Sequence, residues 1–151
     1  MHVTSKISFP FIPGTKVEVP EIKYKDKIKL PADKTALLIV DMRNDFIKDG
    51  GSLVVESAKE TVPYLKNLLG IARRNNVWDI ENLIITGTVS NICVAHTAAS
   101  AALRWYNIIV PANGISALTE FDQALTLRQI SSLYTGTVLK STKDIIFRLR
   151  I

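Results

Sequence analysis

Two side chains in this sequence could together perform nucleophilic and acid–base chemistry, and each follows a short apolar run. Cys93 is the only cysteine, and it lies in Leu83-Ile84-Ile85-Thr86-Gly87-Thr88-Val89-Ser90-Asn91-Ile92-Cys93-Val94. The thiolate is the nucleophilic form of cysteine, and the free N–H groups at a helix start lower a thiol's pKa. The same N–H groups could hold an oxyanion on a substrate carbonyl. The competing reading of Cys93 is a small buried hydrophobe at a helix start. Asp41 follows Thr35-Ala36-Leu37-Leu38-Ile39-Val40. A carboxylate beside a thiol can accept its proton and later return it to a departing amine. A turn-capping role is the alternative for Asp41, although Asp45 is better suited to capping, because Asx side chains bond backbone groups two or three positions on.

The elements that must position this pair are legible as a strand–helix alternation. The runs at 35–40 and 83–87 read as short buried strands. In an open parallel sheet, ligands bind outside the carboxyl ends of the strands, where Asp41 and Cys93 both fall. Glu56 to Asn76 reads as one helix, with Val62, Leu65, Leu69 and Ala72 on one face. Cys93 to Tyr106 reads as a second, whose alanines permit close packing on a sheet. Ile108-Ile109-Val110 is a strand, and Thr119 with Asp122 resembles a capping box that opens a helix to about Tyr134. Gly136 ends that helix before a final strand, Thr137-Val138-Leu139. Such alternation predicts a parallel sheet.

The segments Ile39-Val40-Asp41-Met42-Arg43-Asn44-Asp45-Phe46, with Gly51-Ser52-Leu53, and Ile84 to Val94, with Thr97-Ala98, resemble the isochorismatase-like cysteine hydrolase family. That family includes nicotinamidases and N-carbamoylsarcosine amidases. The likeness runs from about residue 35 to about residue 142. It implies a doubly wound, mostly parallel Rossmann-like α/β sheet with helices on both faces. It also implies Asp41 as general base and acid, Cys93 as nucleophile and a cis peptide at Thr88-Val89. The backbone N–H groups of Val89 and Cys93 would form the oxyanion hole.

The resemblance further implies a catalytic lysine on a strand between the aspartate and the cysteine, and here the sequence departs from the pattern. Lys48, Lys59 and Lys66 are the lysines in that interval; none matches the motif, and Lys59 and Lys66 belong to a helix surface. The Asp and His ligands of nicotinamidase metal sites are also missing, so no cofactor is expected unless a segment is absent. His96, one turn past the cysteine, is given no role. Val77 should begin a strand, yet Trp78-Asp79-Ile80-Glu81-Asn82 leads straight into the cysteine strand. About two strand–helix units, roughly 50–60 residues at about 30 per unit, are lacking between Val77 and Trp78. Joining the first helix directly to the cysteine strand would make it change faces or form a left-handed connection, against a rule obeyed in about 98% of cases. Either a stretch is omitted at that junction or the deletion is real.

Residues 1–34 form a distinct N-terminal arm before a hydrolase domain at 35–151. Lys16 to Pro20 and Ile22 to Leu30 alternate apolar and charged residues, which predicts two extended segments, packed on their own domain or paired with a neighbouring subunit. Interspersed acids and the lack of a recognition motif argue against nucleic acid. The chain has 151 residues, 47% of them apolar, and a net charge of +5, which suits one globular domain with a modest preference for anions. A single cysteine fits a reducing, cytoplasmic setting. No run approaches the length of a membrane span and no signal peptide is recognisable. The expected activity is hydrolysis of a small amide through a thioester, in a homo-oligomer. The alternative is a catalytically impaired relative serving as an oligomeric binding or scaffold protein.

Overall fold

The computed structural model describes residues 22–73 and 80–148. Its elements follow the predicted alternation: β1 (Ile28–Pro31), β2 (Thr35–Val40), a short α1 (Asn44–Ile47), α2 (Glu56–Ala72), β3 (Asn82–Thr88), α3 (Ala95–Ala102), β4 (Asn107–Pro111), β5 (Ile115–Ser116), α4 (Glu120–Ser132), β6 (Thr137–Leu139) and β7 (Ile145–Arg148). β2, β3, β4 and β6 form a parallel sheet in that order, and β5 extends the pairing of β3. Helices cover both faces, so this is the mostly parallel α/β architecture the sequence predicts.

Strand alternation sorts the core into two layers. Leu83, Ile85, Ile108 and Val110 point to one face, against Ala98 and Ala101 of α3 and Leu127 and Ile130 of α4. Ile84 and Ile109 point to the other, against Leu68 of α2 and Leu30 and Ile145 of β1 and β7. Such alternation is what a strand's two-residue period requires. α2 and α3 therefore lie on opposite faces, although the steps from β2 to β3 and from β3 to β4 run in the same direction. Two parallel connections of that kind have opposite hands. The step from β4 to β6 uses the α3 face as well, so the unusual hand falls on the passage from β2 through α2 to β3. The helix has not changed faces; its connection has the disfavoured hand instead.

Several boundaries differ from the sequence reading. α2 ends at Ala72, and the predicted continuation to Asn76 and the strand start at Val77 lie outside the described residues, as does Lys16–Pro20. The buried face of α2 is Ala58, Thr61, Leu65 and Leu68, while Val62 and Leu69 are only partly covered. Its apolar stripe is thus wider than the sheet beneath it. α3 ends at Ala102 rather than Tyr106, because the chain leaves the helix through Trp105, whose φ is +65°. Thr137–Leu139 is not the final strand. β7 follows it and pairs in parallel with β1, while Lys25 bridges Leu139, so residues 25–31 pack on their own domain. The sequence signal for β7 was weak because its run, Ile145-Ile146-Phe147, is short and flanked by charges. Thr119 does cap α4, accepting from the Asp122 N–H at 3.1 Å and donating to Asp122 Oδ2 at 2.7 Å.

Candidate active site

β2 and β3 run level at their carboxyl ends, with Val40 opposite Gly87. Just beyond, Asp41 leaves the strand with φ of +50°, a left-handed turn that an Asx residue tolerates. On β3, Gly87 has φ of +120°, and a Cβ there would stand 2.0 Å from the Val40 carbonyl oxygen. Only glycine lets the two strand ends approach this closely, so Gly87 decides how near Asp41 comes to the loop that follows β3. Glycine inside a strand pattern signals such an approach. Thr86 adds a hydroxyl bond to the Leu38 carbonyl at 2.9 Å.

After β3, the Thr88–Val89 peptide bond is cis. The chain then enters a wide turn, Ser90–Val94, in which the Val94 N–H reaches back five residues to the Val89 carbonyl at 3.2 Å. Turns of this π type are enriched at functional sites. Cys93 therefore lies inside the turn that precedes α3 and does not open the helix. Thr97 Oγ1 donates to the Cys93 carbonyl at 2.7 Å and fixes the turn against α3. Beneath it, Val55, Ala58, Val89 and Ala117 form a small apolar floor, with Phe46 and Ile47 at its margin.

The Asp41 carboxylate and the backbone amides of Val89 and Cys93 all act on the partly exposed Cys93 thiol. The balance of these contacts overturns the expectation of an acidified thiol. The carboxylate's hydrogen bond is the largest influence and raises the thiol's pKa; burial and the carboxylate's charge raise it further, and the two amides offset only part of this. The dipole argument from the sequence omitted the negative charge across the sheet.

Other residues fall apart from this pair. Asp45 does not cap α1; its side chain is exposed and 3.4 Å from Arg43 Nη2. Lys48 and Lys66 are exposed, and Lys59 pairs with Asp49. His96 is exposed, with Nδ1 2.7 Å from the Ile92 carbonyl. Among the described residues no three His, Cys, Asp or Glu side chains cluster as metal ligands. Ser90 Oγ and Asn91 Oδ1, both in the turn, are buried polar atoms without a protein partner.

The mostly parallel sheet with helices on both faces is the α/β fold seen in isochorismatase-like hydrolases. Residues 78–143 match the Isochorismatase domain family model. It is 26% identical over 165 aligned positions to an uncharacterized isochorismatase family protein, YaaI, of Bacillus subtilis, covering 68% of this chain and 91% of the relative. Its fold is similar to that of the nicotinamidase SaPncA from Staphylococcus aureus, with a TM-score of 0.65 at 19% identity, covering 72% of this chain and 99% of that one. A cysteine hydrolase from Pseudomonas syringae pv. phaseolicola gives a TM-score of 0.65 at 16% identity, covering 80% and 94%.

Proposed function

We propose that this chain is a cysteine hydrolase that cleaves the C–N bond of a small amide through a thioester. The observation that carries the reading is the convergence of the Asp41 carboxylate and the Val89 and Cys93 amides on one thiol. The Cys93 sulfur attacks the carbonyl carbon as its proton passes to Asp41. Negative charge on the substrate oxygen then falls to the Val89 and Cys93 N–H groups. Asp41 gives the proton to the nitrogen, the C–N bond breaks and the amine leaves. Asp41 next takes a proton from water; the hydroxide attacks the thioester, and the acid departs as the thiol regains its proton. A raised thiol pKa fits a resting pair in which sulfur keeps its proton until a carbonyl arrives.

Ammonia release from nicotinamide and other small primary amides tests this reading, because the fold neighbours include nicotinamidases. Turnover that disappears in Cys93→Ala supports it, and turnover that survives the substitution refutes covalent catalysis. A second reading, a non-catalytic binding or scaffold protein, is favoured by the raised thiol pKa and by the lack, among the described residues, of an ammonium at the pair: Lys48 and Lys66 are exposed and Lys59 is engaged with Asp49. Absence of both turnover and any acyl adduct on Cys93 would select it.

A further inference from the structure

The outer flank of β2 is built to be covered. Among the described residues β2 pairs only with β3, so the other edge of Thr35–Val40 presents unpaired backbone groups. An exposed edge is ordinarily protected by lysine, proline or a bulge. This one is apolar from Ala36 to Val40, and Ile39 is 36% exposed.

Both faces beside that edge are also open. On the α2 side, Ile39, Met42, Val62, Leu65 and Leu69 line a cavity of about 240 Å³. On the other side, the flank of α3 that carries Thr97, Ser100 and Arg104 borders a second cavity of about 430 Å³ over Leu83. The opposite flank of α3, with Ala99, Ala102 and Leu103, faces Leu133 and Tyr134 after α4. The Thr97 flank is therefore the one turned toward β2.

Connection hand says what belongs there. Relative to the steps through α3 and α4, α2 lies on the face that suits a step away from β3, outward from the β2 edge. Chain length agrees. The alignment with the Bacillus subtilis relative has 165 positions, yet 68% of this chain is only about 103 residues, so about 60 positions of the relative face no residue here. The family match begins at Trp78.

We infer that the β2 flank is the docking surface for a segment of about 60 residues joined between Val77 and Trp78, which adds strands to the β2 edge and helices to both grooves. α2 then leads outward with the ordinary hand, and the segment returns to β3 over the α3 face. Its occupant is a covalent part of the same polypeptide. This inference rests on topology and chain length, and it stands or falls independently of turnover.

The test is the intact mass and tryptic map of the protein isolated from the organism that makes it. The expected mass exceeds 16.8 kDa by about 6–7 kDa, at this chain's mean residue mass, with new peptides between Asn75 and Trp78. A mass of 16.8 kDa, with a single tryptic peptide from Asn75 to Arg104 carrying the Val77–Trp78 bond, overturns the inference. Recovery of that same peptide beside a separate small polypeptide overturns it equally.

Discussion

At Cys93 the neighbouring Asp41 carboxylate sets the direction of the thiol's pKa shift, and the sign of that effect is measurable. The carboxylate raises the thiol's pKa by bonding the protonated form and repelling the thiolate. Iodoacetamide should therefore alkylate Cys93 with a midpoint above that of an ordinary thiol. In Asp41→Asn the charge is gone while the amides of Val89 and Cys93 remain, so the midpoint should move to lower pH. A midpoint that stays in place or rises would show that burial, not the carboxylate, governs the thiol. Both residues were visible in the sequence because each follows a short apolar run. The direction of the pKa shift was not, because it depends on a contact between residues 52 positions apart.

At the scale of elements, two glycines and one cap separate close packing from mere turn geometry. Gly87→Ala places a methyl 2.0 Å from the Val40 carbonyl at a φ of +120°. It should cost about 3 kcal/mol or more, or prevent folding, because the β2–β3 ends would have to part. Gly50→Ala meets nothing within 4 Å, at a φ of +80°, and should cost only about 1–2 kcal/mol. Thr119→Ala should lose about 1 kcal/mol through the N-cap of α4. Urea midpoints of the three variants check the order, and equal losses for the two glycines would contradict the close-approach argument. The helices and central strands were legible because their apolar residues recur at the proper period. The wide turn at Ser90–Val94 was not, since its five-residue closure leaves no periodic trace. Nor was the true buried face of α2, where Thr61 is buried and donates to the Ala58 carbonyl at 2.8 Å while Val62 turns toward the open groove.

On the scale of the whole molecule, strand order reproduced the expected parallel architecture, and the connection through α2 has the opposite hand to those through α3 and α4. Exposed apolar surface is the other global property. Leu103, Trp105 and Leu133 are 82, 93 and 67% exposed and lie together where α3 and α4 end. Patches of this kind favour association. Trp105→Ser should reduce concentration-dependent sedimentation while leaving the melting temperature nearly unchanged; a large fall in melting temperature would mean the indole is packed. The arm's pairing with β7 could not be read locally, because β1 and β7 are short and lie at opposite ends of the chain.

The geometry at the two ends of β2 has a consequence for length. A 3₁₀ turn, Ala32–Lys34, precedes the strand, and the left-handed Asp41 follows it. Neither end can be prolonged without unmaking the turn that feeds the sheet or the one that presents the carboxylate. The free edge is therefore a ruler six residues long. At about 3.3 Å per residue, it can seat roughly 20 Å of added strand. Any polypeptide laid along it meets, after those six residues, the left-handed turn at Asp41.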